Sequence, residues 1–420
     1  MKAARPRIVF VVTSLHGGGA EEVGVQWMRS FAPDADVTAV LVSDRPAERL
    51  PDGVALVDLG PDGHAATVRG IRAVIRRRRP DVVVALQTYP ALLALAASLS
   101  VDRATRPLTV VSEHNLISLG LPGSPLGHRL KISLAKRMYR RADLVVACSH
   151  PVGGELVAGF GVRGDRLAVV PNPALAKARA TRRVPRTPGA EHGIDIVLAG
   201  RLVPQKRPRL AIAAAARLRA RGVEARVVSF GGGPLLEETA ALARDAEVPF
   251  VSHGWVEDWF SGFEPNSVVL LPSVREGFGN VLVEAAACGV PAVAVSGALG
   301  VADAIIPGVT GELALDDDPD SLADALVAAS GLEVPEVDDW LARFSPETSA
   351  ALLLSAMRHA AVRRGRPAAW AAPASAPPAS APASAPPASA PASAPSSSAA
   401  STPSVPANGA VAVAAAPTSR

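Results

Sequence analysis

A strand, a glycine-rich turn and a helix are predicted around the stretch Glu276-Gly277-Phe278-Gly279-Asn280-Val281-Leu282-Val283-Glu284. An apolar run at 268–271 precedes the turn, and the residues from Asn280 onward are typical of a buried helix. The first turn of such a helix presents free amide N–H groups and the positive end of the helix dipole, which together favour a phosphate. Glu276 and Glu284 lie on either side and can accept hydrogen bonds from hydroxyls. An anion flanked by two sets of hydroxyls describes a nucleotide sugar. The alternative is an ordinary strand–turn–helix unit in which Glu276 caps the helix and Glu284 is solvated.

The rest of the chain alternates buried strands with helices, which is typical of α/β domains with parallel sheets. The pattern predicts two doubly wound, Rossmann-like units, one in each half of the chain. The predicted strands are 8–13, 37–42, 54–59, 82–86, 108–112, 143–149 and 166–170, then 195–199, 226–230, 251–255, 268–271, 292–295 and 311–315. The predicted helices include 20–31, 65–78, 127–141, 332–341 and 346–363.

Composition narrows the class of protein. The net charge of +4 suits anionic partners, but no zinc-ligand spacing and no aromatic-rich basic module is present, so we expect no nucleic-acid partner. Cys148 and Cys288 lie in apolar contexts and are expected to be buried thiols of a cytoplasmic protein. The basic, then apolar, start of the chain imitates a signal peptide, but we expect a first buried strand instead. Polar residues and Pro90 interrupt the uncharged run 82–101, which favours a strand and a short helix over a membrane span.

Several loops are expected at the carboxyl ends of the parallel strands, where ligands bind in such sheets. Gly18 and Gly19 follow the first strand, and His114 follows the strand 108–112. Arg201 and Lys206 lie on one loop and offer two fixed positive charges to a diphosphate. A turn with Gly231 and Gly233 follows the next strand. A simpler explanation stays open for each. The first loop can be a plain strand-to-helix turn, His114 can be structural, the two cations can be surface charges, and the last turn can have glycines because it needs positive φ.

The motifs together, over roughly residues 7 to 362, resemble the retaining glycosyltransferases of family 4, which have the GT-B fold. The resemblance rests on Glu-Gly-Phe-Gly-Asn-Val-Leu-Val-Glu, on Gly-Arg-Leu-Val-Pro-Gln-Lys at 200–206, on Ser-Glu-His-Asn at 112–115, on Gly-Gly-Ala-Glu at 18–21 and on Gly-Gly-Gly-Pro at 231–234. The segment Pro171-Asn172-Pro173 is similar to the family's exit toward the linker. The chain departs from the pattern at Arg207, where the family usually has glycine.

The resemblance implies a role for each candidate residue. Glu276 would contact the transferred sugar, Glu284 would hold the ribose hydroxyls, and His114 would position or polarise groups near the reacting centre. Arg201 and Lys206 would neutralise the departing diphosphate. The catalytic candidates are Glu276, His114, Arg201 and Lys206. The donor-binding candidates are Gly18, Gly19, Arg201, Lys206, Gly231, Gly233, Glu276, Gly277, Phe278, Gly279, Asn280, Val281 and Glu284.

The resemblance also implies a domain organisation. Residues 1–173 would form the acceptor-side domain, 174–192 a linker and 193–345 the donor domain, and the helix 346–365 would cross back to the N-terminal domain. The Pro/Ala/Ser-rich tail 366–420 has few large apolar residues and is expected to be disordered.

We expect a nucleotide-sugar donor, a glycan or lipid-linked acceptor, no cofactor and no metal, because Arg201 and Lys206 supply the positive charge that a metal would bring. The basic helix 127–141 is expected either to contact an anionic membrane at the inner face of the plasma membrane or to be simply solvated. Two other functions stay open: a nucleotide-sugar epimerase with the same architecture, and a binding protein that senses a nucleotide sugar without transfer.

Overall fold

A computed structural model describes residues 5–15, 18–43, 48–60, 62–120, 123–178 and 181–365. The N-terminal half forms a seven-stranded sheet in which every neighbouring pair is parallel, with the order β3-β2-β1-β4-β5-β6-β7. Its strands are β1 Arg7–Val12, β2 Asp36–Leu41, β3 Ala55–Asp58, β4 Val82–Leu86, β5 Leu108–Glu113, β6 Leu144–Ala147 and β7 Leu167–Val169.

Helices separate these strands along the chain. They are α1 Gly19–Phe31, α2 His64–Arg78, α3 Thr88–Leu99, α4 Leu126–Met138, α5 His150–Ala158 and the short α6 Leu175–Ala178. The central strands β4 and β5 are buried along their whole length, as expected for a parallel sheet whose two faces are both covered. Strand β1 and the pair β4–α3 occupy the two apolar runs that could have been a signal peptide and a membrane span.

The C-terminal half forms a six-stranded parallel sheet with the order β10-β9-β8-β11-β12-β13. Its strands are β8 Ile194–Ala199, β9 Ala225–Phe230, β10 Phe250–Ser252, β11 Ser267–Leu271, β12 Ala292–Val295 and β13 Gly311–Ala314. Its helices are α7 Pro208–Ala220, α8 Leu236–Asp245, α9 Asn280–Ala287, α10 Pro319–Ser330 and α11 Asp338–Ala342, and α12 Pro346–Arg363 follows. The prediction of two parallel-sheet, Rossmann-like units is confirmed.

The last helix, α12, packs on the N-terminal sheet. Ser345 caps it, since its hydroxyl accepts a hydrogen bond from the Thr348 amide at 3.1 Å. Leu353 and Met357 are buried in the same apolar cluster as Trp27 of α1. The Trp27 indole donates a hydrogen bond to the Ser349 hydroxyl at 2.9 Å, which holds α12 against α1.

One helix prediction near the C-terminal end is wrong, and another helix there was missed. The predicted helix 332–341 is confined to α11, because Pro335 cannot take part in a helix at that point. Helix α10 was not predicted, although Asp318 caps it by accepting hydrogen bonds from two backbone amides and Pro319 occupies its first position. Strand β10 is also shorter than predicted, since it ends at Ser252.

Both cysteines are buried free thiols, as predicted. Among the residues that the structure describes, no helix is both long and apolar enough to cross a membrane. The prediction for the tail 366–420 concerns residues that lie outside the described ranges.

Candidate functional site

Loops from the two sheets are in direct contact at Gly277. A Cβ atom added to Gly277 would lie 2.0 Å from the carbonyl oxygen of His114, so only glycine allows this approach. The Gly277 carbonyl accepts hydrogen bonds from the Ser149 hydroxyl at 2.6 Å and from the Cys148 thiol at 3.3 Å. The turn after β11 is therefore held against the ends of β5 and β6.

Lys206 and Glu276 form an ion pair beside this contact. The Lys206 Nζ lies 2.6 Å from the Glu276 Oε1, and both side chains are largely shielded from solvent. The two loops are joined further, since Gln205 Nε2 donates to the carbonyl of Arg275 at 3.0 Å and the amide of Val274 donates to the carbonyl of Gln205 at 2.9 Å. The structure thus brings together two of the predicted catalytic side chains from positions 70 residues apart.

The structure explains why arginine is tolerated at position 207, where glycosyltransferase family 4 usually has glycine. The φ of Arg207 is 46°, a left-handed conformation that glycine adopts more easily. Its guanidinium donates hydrogen bonds to the carbonyls of Pro272 at 2.7 Å and Ser273 at 3.1 Å. These bonds fix the loop between β8 and α7 to the end of β11, and the departure leaves Lys206 in place.

Arg201 lies on the same loop with an exposed side chain, and it lines a small recess together with Gly200 and Lys206. The turn with Gly231 and Gly233 packs against this loop: added Cβ atoms would lie 2.0 Å from the carbonyl oxygen of Gly200 and 2.5 Å from that of Leu202. These two glycines therefore shape the loop that carries Arg201.

The start of α9 has the features of an anion site. Its N-cap residue is Gly279, so no side chain caps the helix. The Leu282 amide donates to the Gly279 carbonyl at 3.0 Å, and no cap side chain blocks the amides before it. Phe278 is buried and packs against Phe344, with the ring centroids 5.3 Å apart and the rings tilted by 54°, so only its backbone can face a ligand. Val281 is half-buried in the first turn.

Asn280, the first residue of α9, contacts the segment that follows β7. Its Oδ1 accepts a hydrogen bond from Asn172 Nδ2 at 2.9 Å. Gly19 lies opposite, since an added Cβ there would be 4.0 Å from Asn280 Nδ2. The neighbouring Gly18 amide is bonded to Glu21 Oε2 at 2.9 Å, so Glu21 occupies the N-terminus of α1.

His114 is half-buried, and both of its ring nitrogens have protein partners. Nε2 lies 2.9 Å from the Ser112 hydroxyl, and Nδ1 lies 3.3 Å from Asn172 Oδ1. Because the Asn172 amide nitrogen donates to Asn280, its oxygen is the acceptor, which assigns the proton to His114 Nδ1. Burial lowers the pKa of His114 to about 4, so the ring is neutral near pH 7.

Glu284 lies buried in the second turn of α9. Its Oε2 accepts a hydrogen bond from the Trp259 indole at 2.8 Å. Burial raises the pKa of Glu284 to about 7, while the indole and the nearby Lys177 act in the opposite direction. The alternative in which Glu284 is simply solvated is therefore wrong.

A second buried carboxylate, Glu113, lies just before His114. It accepts hydrogen bonds from the Tyr139 hydroxyl at 2.7 Å and from the Thr88 hydroxyl at 3.0 Å. Burial raises its pKa to about 7. This network fixes the backbone next to His114. The region in which His114, the Lys206–Glu276 pair and the start of α9 lie together is called the cleft below.

The structure thus joins the predicted residues into two groups. Lys206, Glu276, Gly277 and His114 are connected by direct contacts, and Gly19 and Asn280 face each other beside them. Sequence reasoning missed the site partners Asn172 and Trp259. Asn172 was noted only as part of the exit toward the linker, and nothing in the local sequence around Trp259 indicates its contact with Glu284. Among the described residues, no group of His, Cys, Asp and Glu side chains could hold a metal ion.

Known proteins match both halves of the chain. A model for glycosyltransferase family 4 matches residues 9–174, and a model for glycosyl transferases group 1 matches residues 193–330. A D-inositol 3-phosphate glycosyltransferase of Kribbella flavida is 34% identical over 216 residues, which cover 46% of this chain and 49% of the relative. The chain spans about half the length of the curated relatives of this name that it matches.

Solved structures share the whole architecture. The lipopolysaccharide outer core galactosyltransferase WaaB superposes with a TM-score of 0.65 at 20% identity, over 83% of this chain and 98% of WaaB. Anabaena HepE in complex with UDP and glucose superposes with a TM-score of 0.63 at 20% identity, over 82% of this chain and 97% of HepE. These likenesses show the GT-B fold, and with family models matching both halves, the chain belongs to glycosyltransferase family 4.

Proposed function

We propose that this protein transfers a sugar from a nucleotide-diphosphate donor, a UDP-sugar or a GDP-sugar, to an acceptor with net retention of configuration. The observation that carries the proposal is the contact of Lys206 with Glu276 beside the uncapped start of α9. A cation in contact with a carboxylate, beside the first turn of a helix that no side chain caps, suits a sugar joined to a diphosphate. Net retention is proposed because the spacing of Glu276 and Glu284 resembles that of the retaining members.

The donor diphosphate would bind at the start of α9. The amides of Gly279 and Asn280 and the positive end of the helix dipole stabilise its negative charge. Lys206 and the exposed Arg201 add two cationic groups on the facing loop. These groups neutralise the charge that grows on the diphosphate as the bond to the sugar breaks, and no metal is needed for this role.

The ion pair between Lys206 and Glu276 is then a resting arrangement. When a diphosphate approaches Lys206, the phosphate oxygens compete with the carboxylate for the ammonium group. Glu276 is released to accept hydrogen bonds from the hydroxyls of the transferred sugar. Donor binding thereby places the carboxylate on the sugar and the cation on the leaving group.

The acceptor would enter from the N-terminal side, between the Gly18 loop and His114. The neutral His114 ring is a polarising or positioning group, because burial holds its pKa at about 4. Asn172 joins His114 to Asn280, so the acceptor side and the start of α9 are coupled through one amide.

A lipid-linked acceptor is favoured by the surface of α4. Leu126, Leu130 and Leu134 recur every fourth residue on its outer face and are 81%, 69% and 47% exposed. Basic side chains surround them, including Arg129 and Arg137, both exposed. Exposed leucines flanked by positive charge suit the headgroup region of an anionic bilayer.

This surface begins close to the cleft. A Cβ added to Gly120, just before α4, would lie 3.0 Å from the guanidinium of Arg275, the residue next to Glu276. Contact of α4 with the cytoplasmic leaflet would therefore bring the cleft near the acceptor's lipid, which fits an enzyme that builds cell-envelope glycans.

The comparisons support a nucleotide-sugar donor. HepE, which shares the fold, was solved with UDP and glucose and also with UDP-glucose. The match to relatives named D-inositol 3-phosphate glycosyltransferase supports sugar transfer as the reaction class.

The test is mass spectrometry of the purified protein incubated with a panel of UDP-sugars and GDP-sugars, with and without a bacterial lipid extract. The proposal expects release of UDP or GDP, and a lipid or glycan whose mass has increased by one sugar. A changed sugar still joined to its nucleotide would show the epimerase instead. Binding without any turnover in the presence of the extract would favour a sensing protein and contradict the proposal.

A further inference from the structure

Trp259 has a defined contact within the donor side of the cleft. Its indole Nε1 lies 2.8 Å from Glu284 Oε2, and both residues are buried. Other aromatic rings fix the indole: Phe263 packs edge-on at 5.2 Å and Phe260 edge-on at 5.9 Å. Because its neighbours hold the ring, the N–H direction is set before any ligand arrives.

Besides the indole of Trp259, two charged groups influence the pKa of Glu284. Lys177 on α6 favours its ionised form, whereas Glu22 on α1 disfavours it. Burial raises the pKa of the Cys288 thiol, at the end of α9, and the charge of Glu284 raises it further. The indole of Trp259 is the neutral donor in this set, and a hydrogen bond from it stabilises the carboxylate over the carboxylic acid.

We propose that Trp259 is a positioning residue for nucleotide binding: its N–H holds one oxygen of Glu284, so that the other oxygen accepts the ribose hydroxyls of the donor. This inference rests on the proposed function, because it takes Glu284 as the ribose acceptor. A carboxylate that is already oriented and ionised loses less conformational freedom when the ribose binds, and it accepts stronger hydrogen bonds than the neutral acid does.

The test is calorimetric binding of UDP and GDP to the full chain between pH 6 and pH 9, for the wild type and for Trp259→Phe. The phenylalanine variant keeps an aromatic ring in the cluster and removes the N–H donor together with part of the ring volume, which is why a packing control is needed. We expect the affinity of the variant for the preferred nucleotide to be about tenfold lower at pH 7, the loss of one hydrogen bond to a charged group. Near pH 9, where Glu284 ionises in both proteins, the difference should shrink. At each pH the nucleotide phosphate carries the same charge in both measurements. The ratio of the two affinities therefore does not depend on the titration of that phosphate.

Phe263→Leu is the matched control, since it disturbs the same aromatic cluster but keeps the indole N–H. Its affinity ratio to the wild type should not vary with pH. In steady-state assays, Trp259→Phe should raise the KM for the donor while kcat at saturating donor stays near the wild-type value.

Equal affinity of Trp259→Phe and the wild type, or a deficit that does not change with pH, would overturn the role of Trp259 alone. A wild type that binds neither UDP nor GDP would overturn the proposed function instead. One measurement needs no variant: the indole N–H resonance of Trp259 should shift when UDP or GDP binds, and an unmoved resonance in the complex would also overturn the positioning role.

Discussion

The ammonium of Lys206 lies 2.6 Å from the carboxylate of Glu276, although the two residues come from loops that follow different strands of the C-terminal sheet. Each side chain shields the other in the resting protein, and each has a separate partner in the proposed donor complex. We expect Lys206→Met and Glu276→Gln each to lower kcat by about two to three orders of magnitude, the usual effect of removing one electrostatic contact to a transition state. Steady-state kinetics with the preferred donor would measure this.

Arg209→Gln serves as the control for Lys206→Met, because Arg209 is a nearby exposed cation paired with Glu238 on the outer surface. Its turnover should match that of the wild type. Near-normal turnover in both cleft variants would contradict the assigned roles.

Gly277→Ala should hold the two halves of the protein apart. The added methyl group would lie 2.0 Å from the His114 carbonyl oxygen, a distance that only movement of one loop can relieve. We expect turnover to fall by about a hundredfold, because a misplacement on this scale disrupts the alignment of the reacting groups. Small-angle X-ray scattering should show a larger radius of gyration. Gly154→Ala, where an added Cβ meets no atom within 4 Å, is the matched control and should leave both quantities unchanged.

Glu113→Gln should stabilise the protein at pH 8 but have little effect at pH 5. Burial raises the pKa of Glu113 from 4.5 to about 7. Since the folded pKa lies above the unfolded one, the stability linked to this carboxyl is full below pH 4.5 and is lost as the pH rises through 7. The difference between the two pKa values corresponds to roughly 3 kcal/mol at pH 8. Glutamine avoids this cost and can still accept hydrogen bonds from Tyr139 and Thr88.

Thermal unfolding at the two pH values measures the effect of Glu113→Gln. Glu237→Gln, at an exposed position on α8, should follow the wild type at both. A variant at Glu113 that is no more stable than the wild type at pH 8 would show that this carboxyl ionises at an ordinary pH.

Sugar transfer should continue at an undiminished rate after the protein is treated with EDTA. The reason is that Lys206 and Arg201 supply the positive charge at the diphosphate. Initial rates with and without EDTA, at saturating donor, check this. A rate that falls sharply in EDTA and returns on addition of Mg²⁺ would show that a metal ion neutralises the charge of the leaving diphosphate.

Leu126→Gln combined with Leu130→Gln should reduce binding to vesicles that contain phosphatidylglycerol. Both leucines are exposed on α4, and their burial in the headgroup region contributes part of the proposed membrane affinity. Cosedimentation with anionic and neutral vesicles measures the binding. Leu315→Gln removes an equally exposed leucine, 86% accessible, at a position outside α4 and should bind like the wild type. Equal binding by all three proteins would exclude α4 as the membrane contact.

Much of the fold could be predicted because local sequence patterns determine it. The uninterrupted apolar runs at β4 and β11 mark parallel strands buried on both faces, and the start of α9 follows from the glycine-rich turn. Helix α10 could have been predicted from the cap at Asp318 and the proline after it. It was missed although the signal was present.

The contacts between the halves could not be read from local patterns. The bond of Asn172 to Asn280 joins residues 108 apart, and the approach of Gly277 to His114 depends on how the two sheets face each other. The indole of Trp259, which precedes β11, donates to Glu284 on α9, 25 residues further along the chain. Such contacts arise from tertiary packing, which hydrophobic periodicity does not encode.

The most direct test of the central claim is a crystal structure of the protein with the UDP-sugar or GDP-sugar that it consumes. We predict the diphosphate at the start of α9 within reach of Lys206 and Arg201, Glu276 on the sugar hydroxyls, and Glu284 on the ribose. Density for the nucleotide elsewhere, or a Lys206–Glu276 pair left intact beside a bound donor, would contradict the account.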